Sequence, residues 1–148
     1  MGSTDSDRAE VLVRAIEATM AGDSTLLGML YTEGVDGWSP AMSVSSAAEL
    51  AVELEHRDTA FSDIELEVAP LEVGGDQACV EWVATATHSG ALVVDDMVIE
   101  ATGRRVTLRG VTVAEFDGGR ICAFRQYYDE VALVADLGLL PVDDFSSL

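Results

Sequence analysis

The chain has 148 residues, of which 27 are Asp or Glu and eight are Arg with no Lys, so its formal net charge is -19. A charge of that sign repels nucleic-acid phosphates and anionic membrane surfaces, and the missing lysine removes Schiff-base and lysine general-base chemistry. The length suits one domain, able to bury about 68–70% of the surface of its unfolded chain.

No apolar run approaches the ~18 residues that a membrane span needs. Cys79 and Cys122 form no CxxC and follow no signal-like segment, so they read as reduced thiols of a cytoplasmic protein. Residues 1–7 are small and polar and read as a flexible leader, and 142–148 as a tail, on one domain spanning 1–148.

Val11, Leu12, Ala15, Ile16, Thr19 and Met20 recur at helical spacing, which predicts a helix over 8–21, capped by Asp7 and stopped by Gly22-Asp23. A shorter helix from Ser24 carries Leu26, Leu27, Leu30 and Tyr31 on its apolar side and ends at Gly34. An extended segment over 35–40 follows, with Trp38 expected to face the interior. Ser45 or Ser46 caps a third helix over 47–56, in which Leu50, Val52 and Leu54 form the apolar side and Glu49, Glu53 and Glu55 face water.

Strands take over from there. Residues 61–69 alternate, with Ile64, Leu66 and Val68 inward and Asp63, Glu65 and Glu67 outward. Gly74-Gly75-Asp76 turns into 78–88, where Val80, Trp82, Ala84, Ala86 and His88 share one face. Residues 90–103 read either as strand extensions or as a flap around Asp95-Asp96. Those two carboxylates, with Glu100, lack a nearby His and point apart on a strand, so no metal site is expected.

Residues 106–116 and 121–128 are rich in β-branched and aromatic side chains, and Asp117-Gly118-Gly119 joins them as a hairpin turn. Alternation sets Phe124, Gln126 and Tyr128 on one face and Arg125, Tyr127 and Asp129 on the other. A short helix over 131–137 stops at Gly138 and Pro141. Helices first and hairpin-linked strands after them give an α+β chain, a curved, mostly antiparallel sheet wrapped around N-terminal helices.

Four stretches, AGDSTLLGMLY (21–31), THSG (87–90), TGRRVTLRGVTVAEFDGGRI (102–121) and QYYDEVALVADLGLLP (126–141), resemble the SnoaL-like polyketide cyclases of the nuclear transport factor 2-like superfamily. The resemblance implies a cone-shaped fold, usually a homodimer, with one deep pocket on the concave face of the sheet and no cofactor. The superfamily also holds epoxide hydrolases, isomerases and non-catalytic binding proteins, so the site must decide the activity. The Arg-x-Asp pair of the epoxide hydrolases corresponds here to Trp82 and Ala84, and their second Asp to Gln126. The acid used by the aromatic polyketide cyclases also falls at or near Gln126.

The candidate catalytic residues are His88, Gln126 and Tyr128. Gln126 and Tyr128 suit hydrogen-bond donation to a carbonyl. His88 would suit a general acid or base, although a satisfied structural histidine is the more common role at such a position. Trp38, Trp82, Ala84, Leu108 and Phe124 are the candidate substrate-binding walls. Glu33 and Asp36 lie where the isomerases of the superfamily place a carboxylate base, and Asp129, which matches the family's C-terminal Asp, reads as structural, pairing with an Arg or capping the last helix. The expected partner is a small polyketide-like molecule, and neither nucleic acid nor membrane. The expected function is cofactor-independent closure of a carbocycle on a flexible apolar chain, by a pericyclic 4+2 route of the indane-forming type. Acid/base isomerisation or epoxide opening, and ligand binding without turnover, are the alternatives.

Overall fold

A computed structural model of the chain describes residues 3–22, 24–71, 74–94 and 97–139. Three helices come first: α1 (Ser3–Ala21), α2 (Ser24–Leu30) and, after β1 (Tyr31–Ser39) and β2 (Met42–Val44), α3 (Ala47–Ala60). The long strands β3 (Phe61–Leu71), β4 (Gln77–His88), β7 (Arg105–Asp117) and β8 (Arg120–Tyr128) follow, with the short pair β5 (Leu92–Val94) and β6 (Met97–Ile99) between β4 and β7, and α4 (Glu130–Asp136) last. The main sheet runs β2-β1-β8-β7-β4-β3, and β5-β6 form a separate two-stranded ribbon. All pairings are antiparallel except β1 with β8. This is the expected α+β architecture of a curved, mostly antiparallel sheet over N-terminal helices.

The β7–β8 hairpin closes at Asp117↔Arg120 around Gly118 and Gly119, with Gly118 at φ 63°. A left-handed residue at this corner matches the right-handed twist of the strands, and Gly adopts it without a Cβ clash. From that turn the register carries inward residues across the sheet in rows. Trp82 faces Gly110, which faces Tyr128, and Thr112 faces Gln126. Leu66 faces Ala84, which faces Leu108. Leu12 and Ile16 of α1, Leu27 and Leu30 of α2 and Leu50 and Leu54 of α3 pack against this face together with Val80, Ala114, Ile121 and Phe124 of the sheet.

Several elements differ from the sequence-based expectation. The first helix begins at Ser3 rather than after residue 7, α3 continues to Ala60, and Tyr31 opens β1 instead of closing α2, so Gly34 lies inside a strand. On β1, Val35, Gly37 and Ser39 are buried, so strand alternation turns Trp38 outward, where it is 43% exposed. Trp38 stacks at 5.3 Å on Tyr127 of the neighbouring strand's outer face. On α3, Val52 is exposed while Glu53 is half-buried, because the helix turns the Leu50–Leu54 stripe to the sheet. Residues 92–94 and 97–99 form the β5–β6 ribbon, and Asp95 and Asp96 lie outside the described residues, as does the tail at 142–148.

Ser46 is the N-cap of α3. Its hydroxyl accepts the Glu49 N–H at 3.1 Å, while the Glu49 carboxylate accepts the Ser45 N–H at 2.5 Å, a near relative of the capping box. Asp129 caps α4 in the same manner, accepting the Ala132 N–H at 3.0 Å as the structural reading expected. Replacing Ser46 by Ala should lower stability by about 1 kcal/mol. The change would show as a lower urea midpoint at unchanged slope.

Candidate active site

The concave face of the sheet and the helices enclose a cavity of about 710 Å³. Its sheet wall includes Trp82, Ala84, Leu108, Phe124, Gln126 and Tyr128, so six of the ten residues singled out from the sequence meet there. They come from three adjacent strands because each occupies an inward position of β4, β7 or β8. The wall is mostly apolar. Its polar groups are few, as expected of a site that binds an apolar ligand and orients it through sparse contacts.

Gln126 stands between Phe124 and Tyr128 on β8, and its carboxamide has no hydrogen-bond partner among the described residues. An amide that faces the cavity and that no described protein group satisfies is left available to a ligand carbonyl. The Tyr128 phenol has its pKa raised by burial first, with the nearby Ser39 hydroxyl partly opposing the rise and the negative charge of Glu130 adding to it. Tyr128 therefore keeps its proton at neutral pH, as a neutral phenol with an O–H to donate. Trp82 is anchored by its indole N–H, which donates to Thr112 Oγ1 at 2.9 Å, and its ring lies 6.3 Å from that of Tyr128.

Tyr31 is a further wall residue that sequence reasoning placed on a helix. Its ring meets Phe124 edge-on at 5.8 Å, and its hydroxyl has no protein partner among the described residues. Burial alone pushes its pKa far above the usual tyrosine range. The signal that could have found it is the alternation Tyr31, Val35, Gly37, Ser39, masked by the irregular register between Tyr31 and Asp36.

His88 is fully buried on the same face but is not part of the cavity wall; Phe61, which is, stacks on it at 5.5 Å. Its Nδ1 accepts the backbone N–H of Thr102 at 3.2 Å and lies 3.0 Å from the Thr102 hydroxyl, so the proton sits on Nε2. Nε2 has no partner among the described residues. With His88 N–H donating to Arg104 O and Gly103 N–H donating to His88 O, this ring ties together the two ends of the segment that carries β5 and β6. Ala91, Leu92 and Val93 of that segment close one side of the cavity.

Glu33, Asp36 and Trp38 are exposed and away from the cavity, because β1 presents them on its edge or outer face. The acidic and basic wall residues come instead from helices: Glu53, His56 and Arg57 of α3 and Glu130 at the start of α4. The sequence offered no means of telling these from solvated charges on a helix face. Arg57 is held by Asp58 at 2.7 Å and by the Thr19 carbonyl, which fixes it at the rim. Among the described residues no three His, Cys, Asp or Glu side chains gather as metal ligands, and no helix is long and apolar enough to cross a membrane.

Because Tyr31 and Tyr128 are both raised, the folded chain retains protons that the unfolded chain releases above the ordinary tyrosine value of about 10. Stability is therefore unaffected by these groups below that pH and falls as the pH climbs past it. Tyr31→Phe should flatten the decline between about pH 10 and 11 in a urea-midpoint series.

The fold has close counterparts of low sequence identity. A candidate SnoaL-like polyketide cyclase from Jannaschia sp. CCS1 superposes with a TM-score of 0.80 at 17% identity, over 93% of this chain and 95% of its own. AclR, a candidate hydroxylase from Streptomyces galilaeus, gives 0.76 at 24% identity over 93% and 84%. IdmH, a candidate polyketide cyclase from Streptomyces antibioticus, gives 0.74 at 20% over 88% and 98%. At these identities the likeness speaks for the fold alone. No curated protein matches by sequence. The sequence profile of one family does match, over residues 10–137, and with the sheet and cavity described above it establishes that this chain belongs to the SnoaL-like polyketide cyclase family.

Proposed function

We propose that the chain is a cofactor-independent cyclase that folds a flexible, apolar polyketide-type chain and closes a carbocycle on it. The observation that carries this reading is the chemistry of the cavity's sheet wall: apolar surface, a free carboxamide at Gln126 and neutral phenols at Tyr31 and Tyr128, with no carboxylate among the inward residues of β4, β7 and β8. Such a wall suits a reaction that needs shape and a polarised carbonyl more than proton transfer. A pericyclic 4+2 closure is of that kind: two σ bonds form as π bonds are consumed, and no proton enters or leaves. Holding diene and partner alkene in contact supplies the orientation term. A Gln126 or Tyr128 hydrogen bond to a carbonyl conjugated with the alkene withdraws electron density from it and lowers the barrier.

Acid/base isomerisation or epoxide opening is the second reading, and Glu53, His56 and Glu130 on the cavity wall favour it. It would have to work from the helices, since Glu33 and Asp36 are exposed and Asp129 caps α4.

We also propose a homodimer formed through the outer face of the sheet. Trp38 and Tyr127 stack there in solvent, 43% and 49% exposed, beside Val83 and Val111. Arg109 lies on the same face as Glu67 and Glu81, so a twofold axis could set cation against carboxylate. The unpaired thiols of Cys79 and Cys122 suit a reducing cytoplasm.

Deleting the gene in its host should cause a linear or less-cyclised precursor to accumulate, and the wild-type gene should restore the ring. In the purified reaction, Gln126→Ala or Tyr128→Phe should slow ring closure by about 10- to 100-fold, whereas His88→Ala should chiefly lower the unfolding midpoint. The rate should stay flat between about pH 6 and 9, because Tyr128 holds its proton there. A bell-shaped profile, abolished by His56→Ala or Glu53→Gln, would transfer the reaction to the second reading. Tyr127→Glu should convert a dimer to a monomer in light scattering; an unchanged mass would remove the proposed interface.

A further inference from the structure

Two glycines on the concave face face two large rings. A Cβ built on Gly110 would lie 2.4 Å from Trp82 Cζ2 and 2.7 Å from Cη2, and one built on Gly37 would lie 2.2 Å from Phe124 Cζ and 2.5 Å from Cε2. Such distances are far inside van der Waals contact, so no side chain larger than hydrogen fits at either position with the rings as they are. Both glycines lie directly opposite the ring they receive, Gly110 beside Trp82 and Gly37 beside Phe124. Glycine within a strand weakens pairing unless something approaches the backbone closely, and here a ring does so twice.

Side chains on a strand ordinarily stand roughly perpendicular to the sheet, and on this face that direction points into the cavity. Trp82 and Phe124 instead lean sideways over the neighbouring strand. Trp82 reaches across β7, with its ring on Gly110 and its N–H on Thr112, one inward position further along. Phe124 leans over β1, with Tyr31 against its ring. Only 5% of Trp82 and 4% of Phe124 is exposed, so the rings are sunk into the wall and the space above them is left to the cavity.

We infer that Gly37 and Gly110 are the specificity-determining residues of this cavity, and that by receiving Phe124 and Trp82 they set the longest apolar chain bearing a carbonyl that it admits. A methyl group at either position lifts the ring towards Gln126 and shortens that limit. The inference rests on the reading of the cavity as the substrate site, but it concerns occupancy and not turnover.

A homologous series of alkan-2-ones, from 2-heptanone to 2-tridecanone, tests it. Each has one carbonyl for Gln126 and an apolar tail of graded length. In a Trp38→Phe background Trp82 is the only tryptophan, and its emission reports binding. In that background affinity should rise by about fourfold per added methylene until the tail fills the cavity. Gly110→Ala and Gly37→Ala should reach their plateau at a shorter tail, with 2-tridecanone weakened by about tenfold or more and 2-heptanone within about threefold. The same length dependence in the background protein and both variants would overturn the inference.

Should either Ala variant fail to fold, the comparison of Phe124→Leu with Gly37→Ala/Phe124→Leu decides, because the smaller side chain relieves the clash. A shorter plateau in the double variant than in the single one supports the inference, and identical plateaus overturn it. An unchanged metabolite profile on gene deletion would remove the cyclase reading and leave this length dependence standing.

Discussion

The register set by the two-glycine corner between β7 and β8 is the constraint on which the remaining geometry depends. Side chains on a strand alternate with a period of two, so a slip of one residue would turn Gln126 and Tyr128 outward and bring Arg125 and Tyr127 into the apolar interior. Burying an arginine there without a partner would cost several kcal/mol, roughly the scale of a whole domain's stability. In the observed register Arg125 reaches Glu115 at 3.2 Å on the other face instead. The same register sets Trp82 opposite Gly110 and Thr112 opposite Gln126, so the wall of the cavity and the anchor of its largest ring follow from one turn.

Charge is partitioned just as strictly. The net charge is -19, and among the described residues the charged side chains lie mostly on helix faces, strand exteriors and loops. The interior polar groups are neutral: an amide, phenols, hydroxyls and an imidazole whose Nδ1 accepts a hydrogen bond. That division keeps desolvation costs low while leaving donors in a low-dielectric space, where a hydrogen bond to a carbonyl is stronger than in water. Among the described residues, acidic and basic side chains enter the cavity wall only from α3 and α4, the side where Arg57 is tethered by Asp58 and the Thr19 carbonyl.

His88 has the chemistry of a catalytic residue and the contacts of an architectural one. Its position on the inward face of β4 invited a role in proton transfer. Phe61, which lines the cavity, packs on the His88 ring, and Nδ1 is committed to Thr102, so the ring secures the base of the β5–β6 ribbon. The ribbon in turn closes one side of the cavity with Leu92 and Val93.

Short-range periodicity made much of this legible in the sequence. Alternation in 61–69, 78–88 and 121–128 identified the inward faces, the Asp117-Gly118-Gly119 turn identified the hairpin, and Ser46 and Asp129 announced the helix starts, because each is a local property of a few residues. Those rules placed Trp82, Ala84, Leu108, Phe124, Gln126 and Tyr128 on a common wall. They failed where the deciding contact is distant. Trp38 and Tyr31 depend on the parallel pairing of β1 with β8, some 90 residues away in the chain, and Glu53 and His56 on how α3 is rotated against the sheet. The sequence by itself determined which strands exist and which of their residues point the same way. Only the tertiary structure decided which of those faces close on one cavity, because strand pairing, helix rotation and the resting of rings on glycines are contacts between residues that no local pattern relates.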